Sequence, residues 1–295
     1  MCVIFLYTNP DAEAGQFRLI LATNRDESYK RPAKQAHFWD ESPTIIGGRD
    51  MEPGREGGTW FAMSRKGRLA ALLNVMGGTS AHAKGRGSLV PEYLAAGCDA
   101  GAHLSGLHSR AHEYSRFNLL AVDVRRDGID VHQLSNTGDV GRTHASGQGF
   151  HGVGNHWLGR PTRKVSAGLS RFAGVVEGPG RATAAKEELV DGLLALLKWD
   201  EKHYPDPVLE SLASNSSPEK RQALSSVFIS FPGAAYGTRA VSCRAAHSHE
   251  RSRMCLASRG LVTPGTELQQ YWTATRAMFG DAWRSCHWPL APCVR

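Results

Sequence analysis

The chain has 295 residues, 41% of them hydrophobic, which is enough to bury a substantial core within one domain. Its formal net charge is +7, but the stretch after Arg239 holds seven Arg, no Lys and three acidic residues, so about +4 of that charge sits at the C-terminal end. The body is only mildly basic and has no basic face interleaved with aromatics, which argues against nucleic acid as a partner.

Six cysteines, at positions 2, 98, 243, 255, 286 and 293, form no CxxC pair and no repeated spacing. Neither a disulfide framework nor a zinc module is indicated, and a reducing compartment, the cytoplasm, is expected. No apolar run approaches the roughly 18 residues a membrane span needs. The opening MCVIFLYT is too short for an anchor and has no basic residue before it, unlike a secretory signal.

In chain order, Cys2 to Tyr7 and Phe17 to Ala22 read as two strands around an Asn9-Pro10-Asp11 turn. Gly57 to Ser64 and Arg68 to Asn74 flank Arg65-Lys66-Gly67 as a second hairpin. Ser88 to Ala96 and Ala100 to Tyr114 read as helices, and Phe117 to Val124 with Ile129 to Leu134 as a third hairpin. After a Gly-rich stretch come helices at 162–176 and 183–199, the second striped by Leu189, Leu193, Leu196 and Leu197. A strand is expected at Val227 to Phe231. Hairpins, then helices, then strands make an α+β pattern of mainly antiparallel sheets rather than an alternating βαβ chain. Val241 to Cys255 shows no alternation that would finish a sheet, so the reading ends the folded domain at residue 242 and expects a divergent, poorly ordered tail over 243–295.

Two features carry chemistry. A cysteine directly after the initiator Met becomes, once Met1 is removed, a residue with both a thiol and the chain's α-amine, whose ordinary pKa of about 7.7 to 8.0 suits it to take the thiol's proton. The alternative is a small hydrophobe in a strand. Asn24-Arg25-Asp26-Glu27 caps the strand that pairs with the one carrying Cys2, so an arginine able to lower a thiol pKa and an aspartate able to orient an amine lie near the thiol. Adjacent strand residues point to opposite faces, so Arg25 and Asp26 share a pocket only if the chain turns there. As an isolated tetrapeptide, the same cluster reads better as a solvated strand end in which Arg25 and Glu27 pair with neighbours. His108 and His112, four apart, could share a helix face, whereas His103 and His108 are five apart; with no HExxH, no CxxCH and no tight Cys/His group apart from His247 and His249 in the tail, neither a metal site nor a required cofactor is expected. Gly85-Arg86-Gly87-Ser88, before a helix, reads first as a Ser cap and second as an anion-binding helix start.

The blocks MCVIFLY, RLILATNRDESYKRP, FWD, GGRDMEPGREGGTWFAMSRKGRLAALLN, GRGSLV, FNLLAVD, GNHWLGRPTRKV and AYGTR, in that order from Met1 to about Arg239, resemble the NRDE family, also called the transport and Golgi organisation protein 2 family. That resemblance implies links to Golgi organisation and secretion in eukaryotes, to trafficking of haem, and to handling of acyl-CoA lipids. It implies a small or lipid-like ligand, haem among the candidates, and transient membrane contact. The Cys2 start and strand pattern are also similar to cysteine-type N-terminal nucleophile (Ntn) hydrolases, which implies a four-layer αββα sandwich. By that second resemblance Cys2 is the nucleophile, Arg25 and Asp26 stand near its amine, Asn74 helps form an oxyanion hole, Asn155 is the second site asparagine and Arg239 the late arginine. Adjacent Arg25 and Asp26 depart from the hydrolase pattern, which separates the two. The implied activities are a carrier for an amphipathic ligand and a C–N hydrolase acting on a small amide or thioester.

Overall fold

The computed structural model describes residues 1–76, 82–125, 127–137, 141–157, 159–178, 185–247 and 254–259. Two antiparallel sheets organise them. The first has the order β10 (Gly149–Gly154), β1 (Val3–Thr8), β2 (Phe17–Ser28), β12 (Tyr236–His247) and β11 (Ser230–Phe231), with β13 (Met254–Arg259) also pairing β12. The second is a meander of β3 (Ala33–Trp39), β4 (Ser42–Asp50), β5 (Phe61–Ser64), β6 (Arg68–Asn74), β7 (Phe117–Val124), β8 (Ile129–Ser135) and β9 (Gly141–Ser146).

Strand alternation assigns the two faces of each sheet to different cores. Ile4, Leu6, Leu19 and Leu21 of the first sheet meet Leu69, Ala71, Leu73, Leu120 and Val122 of the second, so the sheets pack face to face. The outer face of the second sheet, with Ala70, Leu72, Leu119 and Ala121, is covered by α1 (Leu89–Ala95) and α2 (Ala100–His108). Val3, Phe5, Tyr7, Ile20 and Ala22, on the outer face of the first, are covered by α3 (Arg163–Glu177) and α4 (Lys186–Leu197). The layer order is therefore α, β, β, α, as expected of an Ntn-hydrolase-like sandwich. β1 and β2 are buried on both faces, which is why they read as continuous apolar runs rather than as alternating ones.

Some expectations need correction. Val227–Ile229 is buried but not extended; the strand there is only Ser230–Phe231. β12 runs through residue 242 to His247 and pairs with β2 from Phe17 to Ser28. The alternation was present in small residues: Val241, Cys243 and Ala245 pack in the helix-side core, while Ser242 and Arg244 fall between them. Strand β13 lies wholly beyond the boundary drawn at 242, and residues 248–253 and 260–295 of the expected tail lie outside the described residues.

Two short helices follow α4, and both start on signals visible in the sequence. α5 (Pro207–Leu212) is capped by Asp206, whose carboxylate accepts from the N–H groups of Val208 and Leu209. α6 (Pro218–Leu224) is capped by Ser217, which accepts from Lys220. Each has Pro at the first helical position, where its missing N–H costs nothing.

Candidate functional site

Register fixes the site. Val3 pairs with Asn24, so Arg25 to Ser28 overshoot the start of β1 and pair instead with β12. Thr238 lies opposite Asp26 and Ala240 opposite Arg25, leaving Arg239 as the extra residue of a bulge. The polar end of β2 is thus held beside the chain's first two residues.

Asp26 is buried, with one carboxylate oxygen ion-paired and the other hydrogen-bonded. One carboxylate oxygen lies 3.2 Å from the Met1 α-amine, and the other accepts from the Thr238 hydroxyl at 2.5 Å. The amine also donates to the Tyr236 hydroxyl at 2.6 Å, and that hydroxyl donates to the Asp26 carbonyl. The Met1 side chain packs with Leu209, Ala213, Leu224 and Ile229. Burial lowers the pKa of the amine, against the opposing pull of Asp26.

Cys2 sits against the same strand. Its sulfur accepts from the Asp26 N–H at 3.3 Å and lies 3.8 Å from the Asp26 carbonyl, to which the thiol can donate. Burial pushes the thiol pKa up, and the nearby α-amine only partly opposes this. With Met1 in place, the amine belongs to the neighbouring residue, and Cys2 does not combine nucleophile and base.

Lys164 is the residue the sequence reading missed. It is 1% exposed, and its ammonium donates to the carbonyls of Met1 at 2.8 Å and Ser226 at 3.0 Å. Desolvation lowers its pKa to about 8, with Asp26 and Cys2 pulling the other way. Its spacing held the signal: Lys164, Gly168, Phe172 and Val176 recur every four residues along the buried stripe of α3.

Strand alternation sends Arg25 away from the Asp26 contacts. Its guanidinium stacks 4.0 Å from the Trp60 ring centroid and lies 3.9 Å from Glu27. Asn74, at the end of β6, accepts from Arg86 through its side-chain oxygen, while its carbonyl accepts from the Asn155 amide. Asn155 is buried and braces Asn74 from behind. Arg239 is also buried and donates to the carbonyls of Ser28 and Arg31, fixing the β2–β3 turn.

Cys2, Arg25, Asp26 and Asn74 all border a cavity of about 970 Å³. Asn155 and Arg239, expected in its wall, lie behind it and act on the backbone of the wall instead. Trp39, Ile45, Trp60 and Leu72 supply apolar wall, and Arg31, Arg49, Arg55 and Arg86 supply charge. Three cations of this wall have carboxylate partners: Arg25 with Glu27, Arg31 with Asp50, and Arg49 with Glu41. Among the described residues no group of three or more His, Cys, Asp or Glu side chains is arranged to hold a metal ion. No helix among them is long and apolar enough to cross a membrane.

Fold and site together define a four-layer αββα protein with a cysteine immediately before its first strand and a cavity beside it. Residues 1–255 match the model of the family described as Transport and Golgi organisation 2, and the chain belongs to that family. Among its relatives, the human Transport and Golgi organization protein 2 homolog is 37% identical over 243 residues, covering 81% of this chain and 86% of that one. The Bos taurus homolog is 39% identical over 215 residues, 72% of this chain and 76% of that one. The Drosophila melanogaster Transport and Golgi organization protein 2 is 33% identical over 248 residues, 81% and 85% of the two chains.

Solved structures are more distant. A Caenorhabditis elegans ortholog of N-acylethanolamine-hydrolyzing acid amidase superposes with a TM-score of 0.41 at 10% identity, covering 64% of this chain and 85% of that chain. A mutant conjugated bile acid hydrolase from Clostridium perfringens gives 0.42 at 8% identity, covering 88% and 92%. Similarity this low carries no argument about activity, and the layer order above rests on its own contacts.

Proposed function

We propose that this protein is a cytoplasmic carrier that binds and hands on an amphipathic, anionic small molecule, an acyl-CoA ester or haem, with transient contact to the membrane that supplies or receives it. One observation carries this reading: a cavity of about 970 Å³ combines two tryptophans and aliphatic side chains with two arginines, Arg55 and Arg86, that have no carboxylate partner among the described residues. Small-molecule sites are typically about 300 to 1,000 Å³ and mainly apolar, with a few placed polar groups. The apolar part of the ligand lies along Trp60 and Leu72, and its anionic part meets Arg55 and Arg86. In this reading Cys2 is a wall residue. Its raised thiol pKa, with the Met1 α-amine ion-paired to Asp26, supports that role.

A second reading, a cysteine amidohydrolase, is favoured by the contact of Cys2 with Asp26 and by Asn74 bordering the same cavity. It requires removal of Met1. The freed Cys2 amine would take the thiol proton as sulfur attacks the carbonyl carbon, and would pass it to the leaving amine or thiolate. Water would then hydrolyse the acyl-enzyme. Intact-mass analysis, labelling by a thiol-directed acylating probe, and titration with acyl-CoA and haem separate the two. Saturable binding without preferential labelling of Cys2 supports the carrier. Met1 loss with Cys2 labelled ahead of the other cysteines supports the hydrolase, and failure of both ligands to bind ends the carrier reading.

A further inference from the structure

Arg55 and Arg86 are the two cavity-wall arginines that, among the described residues, have no carboxylate within ion-pair distance. They come from two loops locked together. In the first, residues 51–58, the N–H of Asp50 donates to the Gly58 carbonyl at 2.8 Å, that of Gly57 to the Asp50 carbonyl at 3.1 Å, and that of Arg55 to the Glu52 carbonyl at 2.8 Å. Gly54 and Gly57 supply the left-handed conformations, φ +76 and +77, that this double turn needs. The Thr59 N–H then donates to the Gly87 carbonyl at 3.1 Å, tying the loop to the segment that carries Arg86.

The two backbones nearly touch: a side-chain carbon at Gly58 would stand 3.2 Å from the Gly87 Cα. A side chain at Gly85 would collide with the Arg55 guanidinium, so this glycine leaves the space Arg55 occupies against the segment that carries Arg86. Arg86 is further held by its bond to Asn74. After burial, the like charge of Arg55 is the largest influence lowering the Arg86 pKa, with Arg31 adding to it and Glu27 opposing. Of the wall's acids, Glu27, Glu41, Asp50 and Glu92 are engaged by arginines and Asp26 by the α-amine, leaving Glu52 and Glu56 at the edge without an ion pair among the described residues.

Two guanidiniums in one cavity wall, close enough for the charge of Arg55 to act on Arg86, are stabilised by an anion that reaches both. A phosphoryl group suits this place: it carries about −1.5 to −2 charge near pH 7 and three strong acceptor oxygens, and guanidinium forks bind such oxygens in pairs. We propose that Arg55 and Arg86 form a subsite for a phosphoryl group of the ligand, with the apolar part of the same molecule against Trp60 and Leu72. This deepens the carrier reading and rests on it for the identity of the occupant. It selects a phosphate-bearing amphiphile over one whose only anions are carboxylates.

The test uses inorganic pyrophosphate, which needs no knowledge of the occupant. Calorimetric titration of the full chain should show binding that weakens as salt is raised. Arg55→Gln should weaken it at least tenfold, and Arg55→Gln with Arg86→Gln should abolish it. Lys66→Gln, in the exposed β5–β6 turn, should leave it unchanged. Thermal melts confirm folding; if the double variant unfolds through loss of the Asn74 bond, the exposed Arg55→Gln alone decides. Absence of pyrophosphate binding at millimolar concentration, or equal binding by Arg55→Gln, overturns the subsite. If acyl-CoA binds but is indifferent to Arg55→Gln, the carrier reading stands and this inference falls. If pyrophosphate responds as described while acyl-CoA and haem both fail to bind, the subsite stands and the carrier reading falls.

Discussion

Replacing Asp26 with Asn keeps the shape of the side chain and removes its charge. The carboxylate and the Met1 amine it faces are 0% and 3% exposed, so solvent screening is small. Leaving one partner of a buried ion pair uncompensated costs about 3 to 5 kcal/mol. The amine can avoid part of that cost by losing its proton, because burial already lowers its pKa. The Asn side chain also still accepts from Thr238. The expected loss is therefore about 3 kcal/mol at pH 7, at the low end of that range.

The pH dependence follows from the same pair. In the variant the folded amine has a still lower pKa, so the variant binds fewer protons than the parent as pH falls below the unfolded value of 8.0. The deficit should be larger at pH 6 than at pH 9. Urea denaturation of both proteins at several pH values measures it. A variant within about 0.5 kcal/mol of the parent at pH 6, the scale of an ordinary surface substitution, would refute the reasoning, as would a deficit that grows with pH.

Lys164→Met should change the pH slope of stability. The folded lysine has its pKa lowered to about 8, so the unfolded chain binds more protons between about 8 and 10.5 and the parent gains stability as pH rises through that window. The shift corresponds to about 3 kcal/mol across the window, and denaturation curves of the variant should lack that gain. Thr238→Val removes a hydroxyl that donates to Asp26 and accepts from the Ile229 N–H, and should cost about 1 to 3 kcal/mol by the same assay. Gly168→Ala should lower stability by about 1 to 3 kcal/mol, because the added methyl would overlap the Phe5 ring where α3 crosses β1; an unchanged melting temperature would contradict the packing.

Much of the fold was legible because β1, β2, β6 and β7 are apolar on both faces, and a strand buried twice writes itself as a run. β3 and β4 went unread: β3 alternates exposed and half-buried residues such as Lys34, Gln35 and His37, leaving little apolar period to find. The helices after α4 were missed although Asp206-Pro207 and Ser217-Pro218 are cap signals, because each helix spans only two turns or less and buries two residues. At the candidate site, Cys2, Arg25, Asp26 and Asn74, singled out from the sequence, all border one cavity. Asn155 and Arg239 were misplaced because residue identity does not tell a wall from its support. A β-bulge re-aims Arg239, and no single-strand pattern marks a bulge. Lys164 was missed because a lysine is ordinarily read as solvated.

Titration of the protein with a long-chain acyl-CoA, following tryptophan fluorescence while a thiol reagent reports any free CoA released, tests the central claim most directly. Saturable quenching, lost on Trp60→Ala and accompanied by no release of CoA, is the result expected of a carrier with Cys2 in its wall. Catalytic release of CoA that disappears in Cys2→Ala, or no binding of either acyl-CoA or haem, would contradict it.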